Sequence, residues 1–301
     1  MIPERVRRAV LLVMSALTLA TLVLFVRGGI TSATSSQPVL VAGVSQWGAL
    51  ARQLLGPDMK VVSLLVDPNA DPHEHEATIS DAANVSRAAY VVVNGAGYDT
   101  WLEQLTSLQG PQARVINVAD LMGVATGQNP HLFYDPKAAI KMVTTLSSIL
   151  ERHGHYGDLA RRTRVLLAQL GTVQRRVDVI RASCSNVPVA ATEDVASYLL
   201  ADAGLRIMTP ERFRLAIGNG VDPSVQDLAT ALAQLHRHPA FLIDNVQTAT
   251  PLTNELVATA ESLHVPVIRV TETMIGTNYV SWIDGVIGQM ESALRLKGCW
   301  R

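Results

Sequence analysis

DLARRTRVLLAQLGTVQRRVDVIRA, residues 158–182, is the stretch on which the reading of the whole chain turns. Leu159, Thr163, Leu166, Leu170, Val173, Val177 and Ile180 recur at steps of 4, 3, 4, 3, 4 and 3, which puts them on one face of a single α-helix. At roughly 1.5 Å per residue the helix is about 37 Å long. Arg161, Arg162, Arg164, Arg175, Arg176 and Arg181 fall on its other faces. A stiff connector between two bodies suits this pattern. A coiled-coil dimer fits less well, because the stripe is short and Thr163 interrupts it, so the chain is expected to be a monomer.

On both sides of this helix, short β-branched runs alternate with amphipathic ones. The strand candidates before it are Val39–Val44, Lys60–Val66, Tyr90–Asn94 and Arg114–Val118. Helical patterns lie at Gln46–Leu55, Asp81–Ala88, Tyr98–Leu108 and Lys137–His153. After the connector come strand candidates Pro188–Thr192, Arg206–Met208, Phe241–Asn245 and Pro266–Val270. Helices fit at Asp194–Ala203, Ser224–Leu235, Pro251–Leu263 and Tyr279–Leu296. The strands are continuous apolar runs, as parallel strands covered on both faces require. The predicted class is α/β, with two lobes at 36–157 and 184–301. Each lobe carries a four-stranded, mainly parallel sheet flanked by helices, and one long rigid helix at 158–183 joins them.

Residues 1–35 read as a leader. Arg5, Arg7 and Arg8 precede the apolar run Ala9–Val26, which Arg27 closes before the small residues Thr31-Ser32-Ala33. Its 18 residues reach about 27 Å, enough to cross a bilayer. The pattern fits a cleaved signal peptide and an uncleaved membrane anchor equally. Either way, the positive-inside rule places everything after about Ser35 outside the cytoplasm. No cysteine stands near the end of the leader, which argues against a lipoprotein.

Composition removes other classes. The 301 residues carry 25 Lys+Arg against 26 Asp+Glu, with 48% hydrophobic residues, so neither a disordered chain nor a nucleic-acid binder is expected. The two cysteines, Cys184 and Cys299, are able to close a loop of about 115 residues in an oxidising compartment. Sequence leaves open whether they meet.

The chemistry lies at strand ends. Asp71-Pro72-His73-Glu74-His75-Glu76 follows the strand ending at Val66, on the edge of a parallel sheet where ligands bind. Imidazole among carboxylates suits a divalent cation, and a solvated acidic loop is the plainer alternative. His131 sits in Asn129-Pro130-His131-Leu132-Phe133-Tyr134-Asp135-Pro136, where it fits either a ligand or a turn-capping role. Glu193, in Thr192-Glu193-Asp194, and Glu272, in Thr271-Glu272-Thr273, each follow a strand of the second half. Glu193 or Asp194 also suits a helix N-terminus. Asn94-Gly95-Ala96-Gly97 lacks the third glycine of a nucleotide loop, and the pairs His153/His155 and His236/His238 read as solvated helix ends.

Taken in order, Asp71-Pro72-His73-Glu74, Asn94-Gly95 with Trp101-Leu102, Asn129-Pro130-His131 with Tyr134-Asp135-Pro136, and the Glu193 strand end resemble one family. It is the metal-specific solute-binding proteins of ABC importers, the manganese, zinc and iron group. The resemblance runs from about Pro38 to Leu296. It implies a cleft metal site with His73 and His131 from the first lobe and Glu193 and Glu272 from the second. Glu272 stands where the family usually has aspartate, and His75, a possible additional ligand, where an aromatic is common. The resemblance also implies capture of a divalent metal ion as transported ligand and its delivery to an ABC permease and its ATPase subunit. Two glutamates, able to bind through one oxygen or two, favour Mn²⁺ or Fe²⁺, with Zn²⁺ a close second. Two other readings compete: an extracytoplasmic metalloenzyme using the 2-His-2-carboxylate site for hydrolysis, and a cell-adhesion protein with a structural metal. The absence of a motif such as His-Glu-x-x-His makes an enzyme the weaker expectation.

Overall fold

The computed structural model describes residues 37–70, 72–108, 113–154 and 156–299; of His73 it describes the backbone only. The leader, and with it the anchor reading of residues 9–26, lies outside the described residues. Among those described, no helix is long and apolar enough to cross a membrane.

The first half builds β1 (Val39–Val44), α1 (Ser45–Leu55), β2 (Lys60–Leu65), α2 (Ile79–Val85), β3 (Ala88–Val93), α3 (Thr100–Ser107), β4 (Arg114–Asn117), α4 (Val118–Met122) and α5 (Pro136–His153). The connector is α6 (Leu159–Cys184). The second half builds β5 (Pro188–Ala191), α7 (Ser197–Asp202), β6 (Arg206–Ile207), α8 (Glu211–Gly218), α9 (Val225–Leu235), β7 (Leu242–Asn245), α10 (Pro251–Ser262), β8 (Val267–Val270) and α11 (Tyr279–Leu296). Strand order is β2-β1-β3-β4 in one sheet and β6-β5-β7-β8 in the other. Every pairing is parallel, for example Leu40 opposite both Val61 and Tyr90, and Ile243 opposite Ile268. The two halves thus share one topology, with the crevice beyond the strands' carboxyl ends where the connections diverge.

Local chemistry sets the element ends. Thr78 and Asp81 form a reciprocal cap that starts α2 at Ile79, two residues before the expected Asp81. Asp135 caps α5 with Pro136 at its first position, and Thr250 with Pro251 does the same for α10. Helices α4 and α8 were not expected from the pattern. Val118, read as the end of a strand, instead starts α4, because the Asn117 side chain accepts the Asp120 N–H at 3.2 Å and turns the chain.

Helix α6 buries Leu159, Leu166, Leu170, Val173, Val177 and Ile180 against α1, α5, α7 and α11. The stripe is therefore consumed within the chain. Thr163 is half-buried and its hydroxyl meets that of Ser147 at 2.8 Å, which is why it is tolerated in the stripe. The arginines do more than face solvent. Arg162 pairs with Asp58 and donates to Leu54 O (2.7 Å) in the first half. Arg176 pairs with Asp284 and with Glu291 (2.8 Å), and Arg181 donates to Asp202 O (2.6 Å), in the second. Cys184, the last residue of α6, is bonded to Cys299, with Cα atoms 5.3 Å apart. Helix α11 reaches back to the first half, where Tyr279 donates to Phe133 O (3.0 Å) and Trp282 lies against Tyr134.

Candidate metal centre

Three of the side chains singled out above meet in the crevice. His131, Glu193 and Glu272 are each almost fully buried, and one donor atom from each lies within 4.8 Å of the others. His131 Nε2 is 3.3 Å from Glu272 Oε2. Two donors about 2.0–2.1 Å from one tetrahedral ion stand roughly 3.3–3.4 Å apart, so this spacing fits a shared dication.

Each side chain is placed by its strand end and held by its neighbours. His131 follows Pro130 and opens the short 3-10 turn Leu132–Tyr134. Asn129 Oδ1 accepts both the His131 backbone N–H (3.0 Å) and its Nδ1–H (2.7 Å). That double contact fixes the tautomer and turns Nε2 toward Glu272, the usual arrangement behind a metal-binding imidazole. Glu193 follows β5 and Glu272 follows β8. The Asn245 side-chain amide, at the end of β7, donates to Glu193 Oε1 (2.5 Å) and to Glu272 Oε1 (2.8 Å). Glu272 Oε2 accepts from the Tyr98 hydroxyl at 2.9 Å. Burial, then the charge of Glu272, holds the Tyr98 phenol well above its ordinary range, so it acts as a neutral donor.

Tyr98 is carried by a loop that leaves β3 as Asn94-Gly95-Ala96-Gly97. Asp99, fully buried, accepts the N–H groups of Asn94 (2.8 Å) and Gly95 (2.9 Å) and so pins that loop. Gly95 has φ +78°, and a Cβ there would lie 2.1 Å from Asn117 Oδ1, so the turn requires glycine. A Cβ on Gly43 would lie 2.3 Å from Asp99 Oδ2; its absence lets the carboxylate in.

Direct bonds between the two halves surround the site. Gln46 donates to Glu272 O (2.5 Å), Tyr134 to Thr271 O (2.8 Å), Asn129 to Asp194 O (2.8 Å), and the Met274 N–H to Ser45 Oγ (3.0 Å). A cavity of about 350 Å³ opens beside the cluster, between Tyr98, Asn129 and His131 on one wall and Glu193, Asp194 and Arg214 on the other. Arg214 forms an ion pair with Asp194.

The backbone of His73 lies in the 3-10 turn Pro72–Glu74, beyond the carboxyl end of β2; its side chain lies outside the described residues. His75 stands apart from the cluster. Its Nε2 is 3.3 Å from Asp81 Oδ2 and its ring packs on Trp101 with centroids 4.5 Å apart. Sequence reasoning missed Tyr98, read as the start of a helix, and Asn245. The signal for Asn245 was present, since Asp244-Asn245 ends the apolar run Phe241-Leu242-Ile243 at the same sheet edge that carries the glutamates.

Known proteins share this architecture. TroA of Treponema pallidum, described as a periplasmic zinc binding protein, aligns over 86% of this chain and 99% of its own at 17% identity and a TM-score of 0.65. FpvC of Pseudomonas aeruginosa, solved in complex with Mn²⁺, aligns over 87% of this chain and 100% of its own at 17% identity and a TM-score of 0.68. At these identities the likeness shows the fold. A Thermotoga maritima protein described as "Putative metal-binding protein" is 31% identical over 99 residues, 32% of this chain; the match spans only 34% of that relative's length. Residues 40–293 match the family described as "ZnuA: Zinc-uptake complex component A periplasmic". The chain belongs to this family of periplasmic components of zinc-uptake complexes.

Proposed function

We propose that this chain is an exported receptor that captures one divalent transition-metal ion between its halves and hands it to an ABC permease driven by an ATPase subunit. The ligands are His73, His131, Glu193 and Glu272. The family is that of an uptake component rather than of an enzyme, so the ion is cargo and no bond of a substrate is broken. The single observation that carries the reading is the buried convergence of His131, Glu193 and Glu272, residues scattered over the sequence. Burying two carboxylates side by side is costly without compensating positive charge, and a dication supplies it. The donor set, imidazole and carboxylate without thiolate, suits Zn²⁺, Mn²⁺ or Fe²⁺. Glutamates binding through both oxygens would favour Mn²⁺ or Fe²⁺, and through one oxygen each Zn²⁺. In this reading residues 36–157 and 184–301 are the two lobes. Residues 1–35 direct export, and either leave by cleavage or remain as an anchor.

The test is to strip the purified protein of metal and titrate it with Zn²⁺, Mn²⁺ and Fe²⁺. One equivalent should bind, and Glu193→Ala or Glu272→Ala should weaken that binding while the metal-free protein stays folded. Full affinity in either variant would remove that residue from the ligand set.

A further inference from the structure

We propose that Gln247 is a positioning residue that sets how long a bound ion stays. Its side-chain amide ties the first half to the second at the rim of the crevice, and release follows the breaking of that tie. This rests on the receptor reading proposed above.

Gln247 lies in the 3-10 turn Val246–Thr248 that follows β7, and its backbone N–H donates to Asn245 Oδ1 at 3.1 Å. Its side chain reaches two backbones. Oε1 accepts the N–H of Thr273, the residue after Glu272, at 2.8 Å, and Nε2 donates to Ala70 O at 2.6 Å, in the connection from β2 to α2. An N–H only donates and a carbonyl only accepts, so these two partners fix which end of the amide faces which half. One side chain thus links the halves at a point adjoining a proposed ligand.

The tie differs from other bonds between the halves in its access to water. Gln46 to Glu272 O, Tyr134 to Thr271 O and the Met274 N–H to Ser45 Oγ are buried, whereas the Gln247–Ala70 bond is exposed. Two openings flank it. One, of about 620 Å³, runs between Asp67, Ala70 and His75 of the first half and Thr273 of the second. The other, of about 510 Å³, lies between Glu74 of the first half and Asn219, Gln247 and Thr250 of the second. Gln247 is therefore a strut across a seam that is open on both sides. Hydrogen bonds exposed to solvent open more readily than buried ones, so parting of the halves starts here while the buried bonds hold. Loss of the strut shifts the population toward the parted state, from which the ion escapes.

Two variants separate the tie from its surroundings. Gln247→Glu keeps an acceptor for the Thr273 N–H and loses the donor to Ala70 O. Its added negative charge attracts a dication, so faster release cannot come from that charge. Gln247→Ala loses both bonds. Each full-length protein, its folding checked by circular dichroism, is loaded with Zn²⁺ and mixed with EDTA at concentrations where the release rate no longer changes. Release should quicken about two- to tenfold in both variants, the range spanned by one hydrogen bond between neutral groups. The rate of Zn²⁺ capture should not fall. A release rate in Gln247→Glu that is unchanged or lower, whatever Gln247→Ala does, would overturn the inference. So would a fall in capture rate, which marks a damaged site rather than a lost tie. Either result leaves the receptor reading standing, because the unaltered protein still binds. Hydrogen exchange of the metal-free proteins tests the tie apart from any ion: amides between β2 and α2 should exchange faster in Gln247→Glu, and equal exchange would overturn the inference. An unaltered protein that binds none of Zn²⁺, Mn²⁺ and Fe²⁺ would overturn the receptor reading and this inference with it.

Discussion

The Tyr98 hydroxyl donates to Glu272 Oε2 at 2.9 Å, a bond between residues 174 positions apart and from opposite halves of the chain. It places a neutral donor on the oxygen that faces His131, and both partners are buried. Tyr98→Phe removes the donor with almost no change of shape. Metal affinity should fall about tenfold, as is usual when a hydrogen bond that orients a ligand is lost. Isothermal titration with Zn²⁺ checks this; an unchanged dissociation constant would show that Glu272 is oriented without Tyr98.

Asp99 gives a pH dependence of known sign. Burial pushes its carboxyl from 3.8 up to about 7, and the N–H groups of Asn94 and Gly95 only partly offset that. The folded protein thus holds this proton more tightly than the unfolded chain does. The contribution to stability is full below about pH 4, declines as pH rises, and is gone above about pH 7. A shift of roughly three units corresponds to a contribution on the order of 4 kcal/mol. Urea unfolding of the metal-free protein and of Asp99→Asn should therefore diverge between pH 4.5 and 7.5, the variant gaining relative to the unaltered protein as pH rises. Parallel profiles would contradict the assignment.

The Cys184–Cys299 bond closes 115 residues, joining the end of the connecting helix to the chain beyond α11. Loop-closure entropy for that length is worth about 5 kcal/mol. The double variant Cys184→Ser, Cys299→Ser should melt at a clearly lower temperature than the oxidised protein and match the reduced one. Equal midpoints in all three would mean the bond adds nothing to stability.

Much of this architecture was legible because its signals are periodic. The stripe from Leu159 to Ile180 specified a single helix, and runs such as Val39–Val44 specified parallel strands, since burial on both faces leaves no room for alternation. What periodicity cannot carry is side-chain direction. His75 packs on Trp101 and Asp81, a contact set by tertiary packing alone. Tyr98 and Asn245 escaped notice because neither is a histidine, cysteine or carboxylate, and their importance lies in bonds to Glu193 and Glu272 made across the fold. Short helices such as α4 escaped because a single side-chain cap, Asn117 on Asp120, outweighs the strand preference of Val118.

Anomalous diffraction from crystals loaded with Zn²⁺, and separately with Mn²⁺, tests the central claim most directly. The expected result is one strong peak in the crevice, about 2.0–2.3 Å from His131 Nε2 and from a carboxylate oxygen of each of Glu193 and Glu272. A peak elsewhere on the molecule, or none in the crevice of a protein shown to be folded, would contradict it.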